Sequence, residues 1–540
     1  MRRVALLAAL LCFAVSCGDA GPAAPGPGGA GGGAAAKGPR GTLVFSRGAD
    51  SSFLDPAVVT DGESVKVITN LFDTLVWFKP GTADLAPGLA TSWETAPDGL
   101  TWTFHLREAK FHDGTPVDAE AVVFSFLRQK DENHPAHVGV FSYWGDLFGS
   151  VKDVVAVDPR TVEIRLSEPF APLLSTMTVF CTSIVSPTAW KSEGIDAATG
   201  KYKYRFAEKP VGSGPFKFVR WNRDETIVLE AFDGYWGGPP GLAKLVFKTI
   251  KENDKRLLDV ESAQSHVMDG LAPQHVERVK ANKDLEFVSQ PGINISYLAM
   301  NCGKKPWDDV RVRQAVAFAI SKEKIQRAAY DGQGALAVTP CPSGLPGYLA
   351  MEERKQDVEK AKKLLAEAGY PDGFETTLWC GDNPRAYMPA PQQVATQIQQ
   401  DLQRVGIRAK VTVVEWKQYL KDTRDAKHDM CLLGWMMDYP DPDNFLHMLL
   451  DKDNARIGSA NNVSFYRGEK VHELLMAART HSDPAERVKL YQDVQRILFD
   501  EVPMVPLVTM PEMRAVSKRV QGYVIYPAGG EYLFGVKLRE

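Results

Sequence analysis

Residues 85–126, LAPGLATSWETAPDGLTWTFHLREAKFHDGTPVDAEAVVFSF, constrain the fold more tightly than any other stretch of the chain. Trp102, Phe104 and Leu106 alternate with Thr101, Thr103, His105 and Arg107, the period of a half-buried strand. Asp98-Gly99 before it and Asp113-Gly114 after the next short run supply residues that tolerate tight turns. Asp118 stands where a helix N-cap belongs, and Val122, Val123, Phe126 and Leu127 then fall on one helical face. The segment reads as strand, turn, strand, turn, helix, a mixed α/β unit.

The amino-terminal end carries a second constraint. Arg2 and Arg3 form a short basic start, residues 4–15 are almost entirely apolar, and Ala14-Val15-Ser16 places small residues before Cys17. The apolar run is too short to span a bilayer and reads as a signal h-region, with Cys17 as the expected lipidation site. Residues 18–40, GDAGPAAPGPGGAGGGAAAKGPR, have nothing to bury and read as a flexible leash reaching roughly 25 Å. Its GxGxxG-like spellings carry no meaning, because no strand precedes them and no helix follows. The remaining body of about 500 residues is long enough for two or three core-bearing lobes.

A net charge of -4 argues against a nucleic-acid footprint. Of seven cysteines, Cys12 and Cys17 belong to the leader, which leaves Cys181, Cys302, Cys341, Cys380 and Cys431. An odd number allows one disulfide or two and leaves at least one thiol unpaired, with the pairing open.

Farther along, residues 42–46 read as a strand, 53–57 as a turn and 63–75 as a helix. A glycine turn at Val211-Gly212-Ser213-Gly214-Pro215 leads into another strand. Within residues 301–325, Val312, Ala315, Val316, Ala319 and Ile320 form the apolar face of an amphipathic helix. Helices follow at 358–367 and 391–405, and the tail holds strands to Leu538. No internal repeat is visible.

The chain lacks the common catalytic spellings HExxH, GxSxG, phosphate loop and CxxC. Ser321-Lys322-Glu323-Lys324 spells SxxK, but neither SDN nor KTG follows, and Ser321 reads better as the cap of the next helix. The ten histidines are scattered, so neither a metal site nor a cofactor is expected, and the chain reads as a non-enzyme. The most unusual stretch is 432–446, LLGWMMDYPDPDNFL. Asp438 directly follows Trp435, Met436 and Met437, and a carboxylate among apolar side chains needs a partner because burying it alone is costly. Asp441 or Asp443 reads as a structural ion pair or cap.

The opening motif, W-E-x-x-x-D-G-L-T-W-T-F-H-L-R-x-x-x-K-F-H-D-G-T-P-V-x-A-E, resembles the signature of the family-5 solute-binding proteins that serve ABC importers. Gly212-Ser213-Gly214-Pro215-Phe216, the N-x-x-x-x-P-W-x-D-x-x-V-R-x-A run from Asn301, and V-P-M-V-P-L in the tail resemble further motifs of that family. The likeness covers residues 42–540 and is nearest to dipeptide- and oligopeptide-binding members.

The resemblance implies an α/β, bilobal periplasmic-binding-protein-like fold of type II, in its large three-domain variant, with the ligand cleft between lobes. The expected division is 1–17 leader, 18–40 linker, 41–75, 207–296 and 508–540 first lobe, 76–206 extra domain, and 297–507 the other lobe. The same likeness implies an extracytoplasmic, membrane-anchored monomer that binds a short peptide and delivers it to an ABC permease with its ATPase subunits. The alternative is a sensor of the same fold, or a binder of a nickel complex, haem or sugar.

On this resemblance Asp438 receives the peptide's α-ammonium group. Arg385 takes the carboxylate of a dipeptide, a role suited to a planar guanidinium that pairs bidentately. Ala386 departs from the family's proline. Trp416, Tyr387 and Trp435 would line the ligand site, and Thr60, Asp61 and Gly62 the cleft edge of the first lobe.

Overall fold

The computed structural model describes residues 41–139, 141–526 and 528–539; the leader, the leash and Cys17 lie outside the described residues. The opening motif folds as its pattern predicts. Thr101–Leu106 pairs antiparallel with Ala90–Thr95 on one side and Thr161–Leu166 on the other, and Val151–Asp158 completes a four-stranded sheet. The Asp118 carboxylate accepts the Ala121 N–H at 2.9 Å and caps the helix Ala119–Lys130. Val122 and Phe126 of that helix are buried with Phe104 and Ile164 of the sheet, so the two periodicities meet in one core.

Two larger sheets hold the rest. A seven-stranded sheet runs Leu285–Gln290, Glu512–Ser517, Val267–Met268, Thr42–Arg47, Lys244–Thr249, Thr226–Ala231, Phe216–Asn222, joining strands from widely separated parts of the chain. A five-stranded sheet runs Arg408–Val414, Glu375–Gly381, Met430–Met436, Asn294–Met300, Met504–Pro506. The chain passes between these sheets twice, after Gln290 and after Pro506. The two crossings are bound together: Asn294 Nδ2 donates to Met510 O at 2.7 Å, and Met510 N–H donates to Asn294 Oδ1 at 2.9 Å. Gly292 is required there, since a Cβ would lie 1.9 Å from Met510 O.

Several boundaries differ from the sequence reading. The helix expected over 63–75 is Gly62–Leu71, because Phe72 turns extended and Asp73 leaves the axis to accept from Ser213, Tyr235 and Trp236. The 301–325 run forms two helices, Val310–Ala319 and Lys322–Ala329, broken where Ser321 Oγ accepts the Lys324 N–H and caps the second. The helix expected over 391–405 ends at Gln403. Cys181, Cys302, Cys341, Cys380 and Cys431 are all unpaired thiols. No helix among the described residues is long and apolar enough to cross a membrane.

Candidate functional site

The 432–446 stretch supplies the last strand residues and the turn that follow the buried centre of the five-stranded sheet. Met430–Met436 lies between Asn294–Met300 and Glu375–Gly381, and Gly434–Met436 at its carboxyl end are half-buried. Asp438 sits just beyond that end. Its Oδ1 accepts the Tyr143 hydroxyl at 3.0 Å and its Oδ2 accepts Asn444 Nδ2 at 3.2 Å. Asn444 Oδ1 in turn takes the Asp438 N–H at 2.9 Å and Trp435 Nε1 at 3.3 Å. Among the described residues no cation pairs with Asp438. Burial pushes its pKa up to about 6, against the downward pull of the Asn444 and Tyr143 hydrogen bonds.

The neighbouring acids behave differently. Asp441 pairs with Arg487 at 2.7 Å and accepts the Tyr491 hydroxyl, while Asp443 lies 3.6 Å from Arg479 and accepts from Tyr439. These are structural ion pairs, as read from the sequence. Asp438 alone of the three lines open space.

That space has two parts. A cavity of about 290 Å³ is lined by Asp438, Trp435, Arg385, Tyr387, Trp416 and Tyr143, among others. A smaller chamber of about 40 Å³ on the other side of Asp438 is walled by Trp77, Phe180, Tyr526 and Tyr532. Asp438 is half-buried and borders both.

Arg385 reaches the larger cavity from a tight turn after the strand Glu375–Gly381. Its N–H donates to Met388 O at 3.0 Å and its O accepts the Met388 N–H at 2.9 Å, which closes the turn without the proline that Ala386 replaces. The exposed guanidinium lies over the Trp416 ring at 4.2 Å from the centroid, and among the described residues no carboxylate pairs with it. Tyr387 is buried in the same cavity wall, and burial pushes its phenol up to about 12 against the downward pull of the Arg385 charge. Gly434 makes room for that ring, since a Cβ would stand 2.2 Å from Tyr387 Cδ2.

The structure thus brings Asp438, Trp435, Arg385, Tyr387 and Trp416 to one cavity. Thr60, Asp61 and Gly62 stand at the start of the helix Gly62–Leu71, whose Val65 and Thr69 line the smaller chamber. Asp61 caps the helix Gly62–Leu71, accepting the Ser64 N–H and hydroxyl, each at 2.8 Å, and none of the three lines either cavity. Sequence reasoning missed Tyr143, Asn444 and Trp77. Asn444 carried a faint signal, an amide six residues beyond an acid that follows apolar side chains, whereas Tyr143 sits 295 residues from Asp438 in an ordinary aromatic run. Asp451, Asp453 and His472 do bring ligand-type atoms within 4.8 Å of one another. Asp451 is already taken by the Asp453 N–H and His472, so nothing there asks for a metal.

A family model described as bacterial extracellular solute-binding proteins, family 5 Middle, matches residues 84–456. The chain belongs to the family-5 solute-binding proteins. Among its relatives, the dipeptide-binding protein of Escherichia coli (strain K12) is 35% identical over 92% of this chain and 94% of its own length. Heme-binding protein A of Haemophilus influenzae is 34% identical over 92% of each. A solved structure, the ABC transporter-associated periplasmic binding protein DppA from Helicobacter pylori in complex with peptide STSA, superposes with a TM-score of 0.80 at 35% identity. It covers 93% of this chain and 98% of that one. Family-5 proteins work outside the cytoplasm and bind solutes, and the bilobal α/β fold with a cleft between lobes is theirs.

Proposed function

We propose that this protein captures short peptides in the cleft at Asp438 and delivers them to an ABC permease. The observation that carries the reading is a half-buried carboxylate, with no cation beside it among the described residues, at the junction of two cavities, one of which also holds Arg385. A peptide's α-ammonium group is the missing partner of Asp438, and its carboxylate, in a dipeptide, the partner of Arg385. Trp416 lies under the guanidinium and leaves its fork open to the cavity. A haem, with no ammonium to offer, leaves Asp438 unpaired. On this reading residues 76–206 form an added domain, residues 297–507 the lobe that carries the site, and Cys17 a lipid anchor on the far side of the leash. Closure of the lobes about the crossings at Gly292 and Met510 buries the peptide.

Calorimetry with free and amino-acetylated forms of one peptide tests the proposal. Acetylation removes the charge that Asp438 needs, so equal affinities for the two forms would sink the peptide reading. Arg385→Ala is expected to weaken a dipeptide such as Gly-Leu at least tenfold and a tetrapeptide much less, because the longer ligand's carboxylate lies beyond the guanidinium. Equal losses for both lengths would remove Arg385 from the carboxylate role.

The raised pKa of Asp438 sets the pH profile. The ionised form binds ammonium, so affinity is full well above pH 6 and falls as pH drops through about 6, approaching tenfold per pH unit below it. The ligand-free protein shows the opposite linkage. A carboxyl whose folded pKa lies above the ordinary value of 3.8 adds stability as pH falls from about 6 toward 4. Peptide titrations from pH 8 to pH 5 check the first statement, and a flat profile contradicts it.

A further inference from the structure

The strand Thr42–Arg47 begins at one edge of the seven-stranded sheet, and the leash joins the body there through Gly41. Lys244–Thr249 and Val267–Met268 run parallel to it and start at the same edge. Glu512–Ser517, antiparallel to Val267–Met268, ends there, and Leu285–Gln290 starts there. The connections at this edge gather cations from distant parts of the chain. Lys518 Nζ donates to Lys283 O at 2.6 Å, and the Arg539 N–H donates to Arg519 O at 2.8 Å. Val520–Gln521 pairs with Lys537–Leu538, and Leu538 lies against Gly41. Gly41 O accepts the Ala243 N–H at 2.9 Å, beside Lys244. Lys244, Lys283, Lys518, Arg519, Lys537 and Arg539 are all exposed, and among the described residues none of them pairs with a carboxylate. The acids at this edge are Asp233, Asp284 and Glu286, together with Glu230, which pairs with Lys217 at 3.1 Å.

We propose that this edge is a membrane-docking face, whose cations rest on the anionic lipid headgroups of a bilayer. On a chain of net charge -4, an excess of cations at one edge runs against the overall composition and sets up a local positive field. The place where the leash leaves the body points to the occupant. Residues 20–40 carry Lys37 and Arg40 and no acid, so the positive charge continues into the leash. A leash reaching roughly 25 Å keeps this edge, more than any other part of the body, near the surface that holds its far end. Attraction between the cations and lipid phosphates acts over about 10 Å at ordinary salt, and clustered lysines and arginines beside a bilayer add up. A second copy of the chain is a poor occupant, since two such edges would repel. None of the six cations lines either cavity at Asp438, so docking and peptide capture use separate surfaces.

The test is vesicle sedimentation of the lipid-free chain from Gly18 onward, which keeps every described element. The probes are vesicles of phosphatidylcholine alone and of phosphatidylcholine mixed with phosphatidylglycerol, at low and at high ionic strength. Binding is expected on the mixed vesicles at low ionic strength and on neither at high. Lys518→Gln, Arg519→Gln, Lys537→Gln and Arg539→Gln together should lower partitioning on the order of several hundredfold, at about fivefold per charge beside an anionic surface. Gln at Lys355, Lys362, Lys363 and Lys410, exposed lysines within residues 297–507, changes the net charge equally and should cost far less. Equal binding to both vesicle types, binding that survives high ionic strength, or equal losses in the two variants overturns the proposal. So does a dimer of the chain in the absence of lipid that the first variant abolishes, which would give the face to a second copy. The wild-type arms decide even without the variants. Neither peptide nor acyl chain enters the test, so an unlipidated Cys17 or a failed peptide titration would leave its result standing.

Discussion

Replacing Asp438 with alanine is expected to weaken the binding of free-amine peptides roughly 30-fold to a few thousandfold. The estimate follows from stranding a charge: removing one partner of a desolvated, hydrogen-bonded pair costs on the order of 2–5 kcal/mol, and each ~1.4 kcal/mol is tenfold in affinity. Both carboxylate oxygens already accept a neutral donor, so the ligand's ammonium would add the only formal charge opposite Asp438 among the described residues. The ligand-free melting temperature should hold, because the ionised carboxylate is itself disfavoured by burial and its removal relieves that cost. Calorimetry together with a thermal melt decides the matter. Wild-type affinity in the alanine variant would exclude Asp438 as the ammonium site, and a collapsed melt would make it a structural residue.

The largest effect on stability is expected at a pair that binds no ligand. Arg128 Nη2 and Nη1 donate to Asp55 Oδ1 and Oδ2 at 2.7 and 3.0 Å, a bidentate contact with both side chains essentially inaccessible. Asp55 also accepts the Tyr204 hydroxyl at 3.2 Å and the Ala57 N–H at 3.1 Å. The Arg128 guanidinium lies 5.2 Å from the Trp190 ring centroid. The pair ties the helix Ala119–Lys130 to the turn that precedes Gly62–Leu71. Arg128→Ala or Asp55→Ala leaves a buried charge alone and should cost about 3–5 kcal/mol in denaturant unfolding. Arg128→Met combined with Asp55→Ala should recover part of that loss, since the orphaned charge is then gone. A single variant that unfolds at the wild-type midpoint would show that the contact contributes nothing net.

Elements with a local cause were legible in the chain. Alternation around Trp102 and Phe104, the caps at Asp118 and Ser321, and the helix Val358–Glu367 each follow from residues within a turn or two of one another. Where tertiary contacts overrode local pattern, the reading failed. The helix after Asp61 stops at Leu71 because Asp73 is claimed by Ser213, Tyr235 and Trp236, which no window around residue 73 contains. Asp61 caps the helix Gly62–Leu71, a local role that the sequence reading of it as a cleft-edge residue did not include.

The candidate site divides along the same line. Asp438 stood out because a carboxylate after Trp435, Met436 and Met437 is chemically out of place, and Arg385 because a family motif surrounds it. Residue type and order by themselves determined the family, the α/β class and these two charges, since all are properties of short stretches. The fold alone decided that the two charges share one cavity, that the guanidinium lies over Trp416, and that Tyr143 and Asn444 occupy the carboxylate. Contacts between residues hundreds of positions apart leave no periodicity or spacing to read; they exist only once burial of separate apolar faces has brought the segments together.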